Sequence, residues 1–171
     1  MSQNIKQLIQ YLPKEPLTLG ANEINFVTVD VFEDFQIGYR VDPDGNSLIS
    51  AEKGHWQEEW YAIAYDEMGD PLIVDTGPAE KPVFTAPHDQ DAWELTCIAD
   101  SFASFLQILA ALIPISEGRT SPADLENYPV PERTKTHFLD TIAAHNNNAE
   151  LWFWAMMLEE DIDLALKKYS F

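Results

Sequence analysis

Basic residues are scarce in this chain: ten lysines and arginines face 29 aspartates and glutamates, a formal charge of −19 at neutral pH. A field of that sign repels phosphate backbones, which argues against direct binding of nucleic acid. Cysteine is scarcer still, and the single Cys97 excludes an internal disulfide and any cysteine-built zinc site. Long apolar runs are missing too. Phe105–Ile115 and Leu151–Leu158 are the most apolar segments, and both fall short of the roughly 20 residues that cross a bilayer. The opening Met-Ser-Gln-Asn-Ile-Lys lacks a cationic start followed by an apolar stretch, so no secretory signal is expected. The expectation is a soluble cytoplasmic protein with neither a membrane nor a nucleic acid as partner.

Signatures of chemistry are equally sparse. None of His55, His88, His137 and His145 pairs with another histidine at i+4 or at a metalloprotease spacing, so no metal or cofactor is expected. Asp42, Asp44 and Asn46 match the first ligands of a helix–loop–helix calcium site, but Ser47 and Lys53 stand where that loop needs glycine and a bidentate glutamate. A hairpin turn at Asp42-Pro-Asp-Gly45 explains the same residues. No serine or cysteine lies in a nucleophile-elbow context, and Cys97, among Trp93, Leu95 and Ile98, reads as a buried structural thiol. His88 with Asp75 or Asp89 could assemble a base and its orienting carboxylate. A loop role for His88 is the simpler reading, and no catalytic residue is assigned.

What is present is the composition of a folded protein, 46% hydrophobic and 12% aromatic. At 171 residues, one domain over 1–171 is expected, large enough to bury roughly two-thirds of its unfolded surface. Ile5, Leu8, Ile9 and Leu12 fall at i, i+3, i+4 and i+7 of a first helix that Pro13 and Pro16 end. Strands are expected at Phe26–Phe32, Phe35–Val41 and Ser47–Ala51. Trp60–Tyr65 and Pro71–Asp75 form a hairpin around Asp66-Glu-Met-Gly-Asp70, and Pro82–Thr85 follows as a further strand. Neither face of Trp60–Tyr65 is polar, so that strand should be covered on both sides, by helices from the two ends of the chain. Trp93–Ala99 is ambiguous between a strand and an irregular lead-in. Asp100 or Ser101 can cap the next helix, which Pro114 should end. Ser121-Pro-Ala-Asp124 starts a short helix and Pro131 another, to about His145, with Asn146–Asn148 as punctuation. The last helix, Ala149–Tyr169, is apolar on every side over Leu151–Leu158, which is either the centre of a C-terminal helical layer or a homodimer surface.

The acids are concentrated. Between Asp30 and Asp100 seventeen aspartates and glutamates meet only Arg40, Lys53 and Lys81, which places −14 of the total charge there. Glu58 with Glu59, Asp66 with Glu67, Asp70, and Asp89 with Asp91 are either solvated loop charges or a contact surface that steers a basic protein. Trp56 is the surface anchor such a surface would use, and Trp60 is placed in the core.

The order of features in 60–109 resembles the SUKH superfamily, the Smi/Knr-type domain. The matching residues are Tyr61-Ala-Ile-Ala-Tyr65, Gly69-Asp70-Pro71, Val74-Asp75, Pro82-Val-Phe84 with His88, and Ile98-Ala-Asp-Ser-Phe-Ala-Ser-Phe-Leu106. The resemblance extends loosely back to Phe35. The family's longer N-terminal helical region, closed by Leu-Pro and an Asn-Gly turn, is represented here only by Leu12-Pro13. It implies an α+β fold with a curved, mixed but mainly antiparallel sheet flanked by N- and C-terminal helices, residues 119–171 being a helical extension packed on the core. It also implies a non-enzymatic role. Bacterial members are similar in being immunity proteins that bind polymorphic toxins of nuclease or deaminase type, and fungal ones are regulatory or scaffold domains. The partner it implies is a toxin domain. The chain's acidity fits a basic one, and the contact expected from the acidic loops is through Trp56, Glu58, Glu59, Asp66, Glu67, Asp70, Asp89 and Asp91.

Overall fold

A computed structural model describes residues 2–159. Six strands, β1 (Leu17–Leu19), β2 (Asn22–Phe26), β3 (Trp60–Asp66), β4 (Pro71–Asp75), β5 (Val83–Thr85) and β6 (Thr96–Ala99), form one sheet in sequence order. Around it lie α1 (Ser2–Ile9), α2 (Phe32–Phe35), α3 (Phe102–Ser116), α4 (Asp124–Asn127), α5 (Glu132–His145) and α6 (Leu151–Met157). The α+β fold is as expected, but every strand pair is antiparallel, so the mixed element of the expectation is corrected. Parallel neighbours need a crossover connection, usually helical. Here tight turns or short loops join most neighbours, and the one long connection, residues 27–59, returns antiparallel.

The main core fills one face of the sheet. Ile5 and Ile9 of α1, with Leu12 just after it, are buried as their spacing predicts, in one cluster with Phe105, Leu109 and Leu112 of α3 and Phe138 and Ile142 of α5. Ser101 caps α3 in a reciprocal arrangement: its Oγ accepts from Ser104 N–H at 2.9 Å while Ser104 Oγ accepts from Ser101 N–H at 3.1 Å. Pro114 lies inside α3, which continues to Ser116 rather than stopping at the proline. The Arg119 guanidinium closes that end by donating to Ile115 O at 2.6 Å.

Asn146–Asn148 end α5 as expected and also tie it down. Asn146 Oδ1 accepts from Asp100 N–H and Ser104 Oγ–H, and the Asp100 carboxylate accepts from the backbone N–H of Asn147 and Asn148. This junction seats α6 on β6, where Trp154 is fully buried and its indole donates to Ile98 O at 2.7 Å. Phe153, Trp154, Ala155, Met157 and Leu158 are all buried within the chain, the helical-layer reading of this segment. Leu151, Trp152 and Met156 stay half-buried. Of the expected final helix, residues 160–171 lie outside the described ones.

The second face of the sheet departs from expectation in what covers it. The cover is not a helix from either end of the chain but the 27–59 connection, whose short α2 contributes Phe35, and the Trp93–Leu95 segment. Trp56, Ala62, Ile73 and Ala86 form its buried centre, with Phe35, Tyr39, Ile49, Trp60, Trp93 and Leu95 around them. A β-bulge between Ala62 and Ala64 moves Ala64 into the main core with Tyr61 and Ile63, against the simple alternation. The strand expected over Phe26–Phe32 ends at Phe26, because Thr28 Oγ1 turns to Asp30 Oδ1 at 2.7 Å and the chain enters α2. The strand expected over Phe35–Val41 is absent: Phe35 ends α2, and residues 36–41 are turns with an isolated Ile37–Val41 bridge and Gly38 at φ +92°. Ser47–Ala51 makes only isolated bridges, Val41 to Ser47 and Ile49 to Trp56. The Asp42–Gly45 turn forms as expected, with Asp42 Oδ1 accepting from Asp44 and Asn46 N–H at 2.9 and 2.8 Å.

Side chains replace a strand along part of β3. Past the end of β2, Gln36 pairs with Ala62 as a neighbouring backbone would, donating to its O at 2.9 Å and accepting from its N–H at 3.1 Å. Arg40 and the Trp56 indole both donate to Trp60 O, at 2.6 and 2.9 Å.

Candidate functional site

The β3–β4 hairpin turn is built by one carboxylate. Asp66 Oδ1 accepts from the N–H of Met68 and of Asp70, each at 2.9 Å, while the backbone closes through Asp66 N–H to Asp70 O at 3.0 Å. Gly69 sits in the turn at φ +85°, left-handed backbone that glycine adopts without strain, and a Cβ there would lie 3.5 Å from His88 Cε1. His88 thus packs over the turn. Its backbone N–H donates to Asp70 Oδ1 at 2.9 Å, and its ring Nδ1 meets the same oxygen at 2.7 Å. One carboxylate oxygen therefore holds the β5–β6 loop against the β3–β4 hairpin.

The orienting acid of His88 is Asp70, not Asp75 or Asp89. Asp75 lies at the far end of β4, opposite Trp60, with its Oδ1 accepting from Gly77 N–H. The hydrogen bond to Asp70 raises the His88 pKa above its ordinary value, opposed by some burial and reinforced by the charges of Asp70, Asp89 and Asp66. Among the described residues no hydrogen bond joins His88 to a serine, threonine or cysteine. Cys97 is half-buried rather than buried, and burial, with Asp100 adding, pushes its thiol up to about 11, so it is protonated at neutral pH. No group of three or more His, Cys, Asp or Glu suited to a metal occurs among the described residues. No helix among them is long and apolar enough to cross a membrane.

The acids singled out from the sequence do not form one patch. Asp66, Glu67 and Asp70 share the turn, and Asp89 adjoins it beside His88. Glu58 and Glu59 precede Trp60 at the opposite end of β3, about 20 Å away at roughly 3.3 Å per residue. Their carbonyls serve the fold, Glu58 O accepting from Arg40 at 2.7 Å and Glu59 O from the Thr76 hydroxyl at 2.9 Å. Asp91 is exposed in the loop that meets residue 54, where Trp93 N–H donates to Gly54 O at 2.8 Å. Trp56 is a correction: at 1% exposure it is core, and Trp60 is the more exposed of the two. The connection that carries Trp56 folds back on the sheet, which turns its apolar ring inward despite polar neighbours.

Asp66 is the electrostatic centre of the turn. It is 9% exposed, and burial pushes its pKa from 3.8 up to about 6, with the charges of Glu67 and Asp70 adding and the two backbone N–H groups opposing. None of the ion pairs among the described residues includes Asp66 or Glu67. Beside it opens a cavity of about 200 Å3, lined by Met68, Trp152, Met156 and Met157 together with Asp66 and Asp70. A second cavity of about 210 Å3 lies between α3 and α5, against Ile108, Phe138 and Ile142.

The raised pKa of Asp66 predicts a pH-dependent cost to stability. Its folded-state value lies above the unfolded one, so its stabilising contribution is full below about pH 4 and is lost as pH rises through about 6. Asp66→Asn keeps the oxygen that caps the turn and removes the charge. It should gain about 1–2 kcal/mol over wild type at pH 7.5, discounted from the full shift for water at the mouth of the site, and nothing at pH 4. Urea unfolding of both proteins at the two pH values measures this. A variant less stable at both would show that the carboxylate's hydrogen bonds outweigh its burial.

No curated protein and no solved structure matches the chain. A family model does match, over residues 10–108, and so takes in Leu12-Pro13, the whole sheet and the acidic turn. The match begins well before residue 60, so the N-terminal part carries the family pattern as well as the hairpin core. Over half the chain fits this one model, in an α+β fold of the kind its motifs imply, and the chain belongs to the SMI1/KNR4 family (SUKH-1).

Proposed function

We propose that this chain is a non-enzymatic protein-binding domain, an immunity protein that neutralises a basic toxin of nuclease or deaminase type by direct binding in the cytoplasm. The observation that carries the reading is the Asp66–Asp70 turn with His88 and Asp89. There a buried carboxylate with no cationic partner among the described residues and an exposed Glu67 adjoin an apolar cavity at one end of the sheet. Buried charge without a counter-charge is costly and is relieved when a partner supplies the cation. Exposed acids around it raise the association rate of a basic protein and reject acidic ones. An acidic face of this kind can occlude the phosphate-binding surface of a basic nuclease.

The test is co-purification of the tagged chain with the product of the adjacent gene at low and high salt. A stoichiometric complex that salt weakens is expected. Glu67→Lys with Asp89→Lys should reduce its affinity at least tenfold, whereas Glu58→Lys with Glu59→Lys, at the other end of β3, should change it less than threefold. Equal effects of the two pairs would remove the acidic turn from the interface. No complex at either salt would favour the regulatory, scaffold type of Smi/Knr domain.

A further inference from the structure

We infer that the cavity between the β3–β4 turn and α6 receives one long basic side chain, an arginine or lysine, from the bound partner. The inference rests on the protein-binding reading above and names the chemistry of its central contact.

Two features select this occupant together. The wall contributed by α6 is apolar and deformable: Met156 and Met157 with the half-buried Trp152, joined by Met68 from the turn, which is 65% exposed. Thioethers adapt to an irregular stem, and an indole face attracts a guanidinium or ammonium. On the other side stand Asp66, nine-tenths buried and paired with no cation among the described residues, and Asp70, whose Oδ1 is already engaged by His88. A purely apolar side chain would fill the space and leave the Asp66 charge more deeply buried and still unpaired. An acidic one would be repelled. A basic side chain with an aliphatic stem satisfies both halves, because its methylenes lie along apolar surface while its head reaches carboxylates. The cavity, about 200 Å3, is of the size of one such side chain and too small for a helix or strand of the partner.

Methionine methyl groups report on this site directly. The chain has four methionines, and Met68, Met156 and Met157 all line the cavity. The probe is N-acetyl-arginine amide, titrated at constant ionic strength into protein carrying 13C-methyl methionine, against N-acetyl-citrulline amide, which has the same shape without the charge. Saturable shifts of the Met156 and Met157 methyls are expected with the arginine probe, with at least fivefold weaker binding of citrulline. Asp66→Asn should weaken the arginine probe at least threefold, and its methyl spectrum without probe shows whether the site is still folded. Equal binding of both probes, or no shift of Met156 and Met157, would overturn the inference. The two readings fail separately. A salt-sensitive partner complex with silent methyls discards the cavity and keeps the acidic surface, while responding methyls without a partner do the reverse.

Discussion

Trp56→Ala is expected to lower the free energy of unfolding by about 4 kcal/mol, the usual cost of emptying a buried tryptophan site. For a chain of this length that corresponds to a fall of about 12 °C in Tm. The ring is 1% exposed and its centroid lies 5.1 Å from both Tyr39 and Trp93 and 6.0 Å from Trp60. Its indole also donates to Trp60 O at 2.9 Å. The layer it centres is a thin one, with only Ala62, Ile73 and Ala86 also buried there, so little surrounding mass can collapse into the void. Trp56→Phe should cost less than half as much, since it keeps most of the ring and Arg40 still donates to Trp60 O. Urea unfolding with an unchanged m-value is the measurement. A loss below 1 kcal/mol accompanied by loss of partner binding would return Trp56 to the surface.

Gln36→Leu is expected to cost about 3 kcal/mol, although it swaps a polar side chain for an apolar one in a position only 4% exposed. The reason is the strand it completes. Removing the amide leaves both the N–H and the O of Ala62 buried without partners, and each such group costs about 1–3 kcal/mol. Gln36→Glu separates this account from simple packing. The carboxylate keeps the acceptor for Ala62 N–H, loses the donor to Ala62 O and adds a buried charge, so it should be at least as damaging at pH 7.5 and milder at pH 4. If leucine is tolerated within about 0.5 kcal/mol, β3 does not depend on Gln36 for its edge.

The sheet core was legible in the sequence because its signals are local. Trp60–Asp66 and Pro71–Asp75 announce themselves by β-rich runs around a glycine-bearing turn, α3 by its cap and apolar spacing, and α5 by the proline that starts it and the asparagines that end it. What the sequence hides depends on contacts between distant residues. The three-residue β1 is too short to show a period, and it is fixed by pairing with β2. Phe26–Phe32, Phe35–Val41 and Ser47–Ala51 look like strands by composition, but the 27–59 connection is held by Gln36, Arg40 and Trp56 reaching across to β3, a role no spacing advertises. The acids of the turn were visible as types. That Asp66 is buried, that Asp70 rather than Asp75 or Asp89 takes His88, and that Glu58 and Glu59 face elsewhere follow only from register.

The strictly sequential order of the sheet bears on how the chain emerges during synthesis. Each strand pairs only with its chain neighbours, so the sheet can assemble as it leaves the ribosome, from β1 to β6. Its main face, however, is roofed largely by helices encoded after residue 101. At roughly 5–20 residues per second, the stretch from β6 to the end of α6 takes on the order of 3–12 s to appear. Until α3 arrives, the cluster that holds Ile63, Leu72 and Val74 has only residues before 100 to fill it, Phe32 and those of α1 among them, so the nascent chain is at its most adhesive in the first part of that interval, before α3 docks.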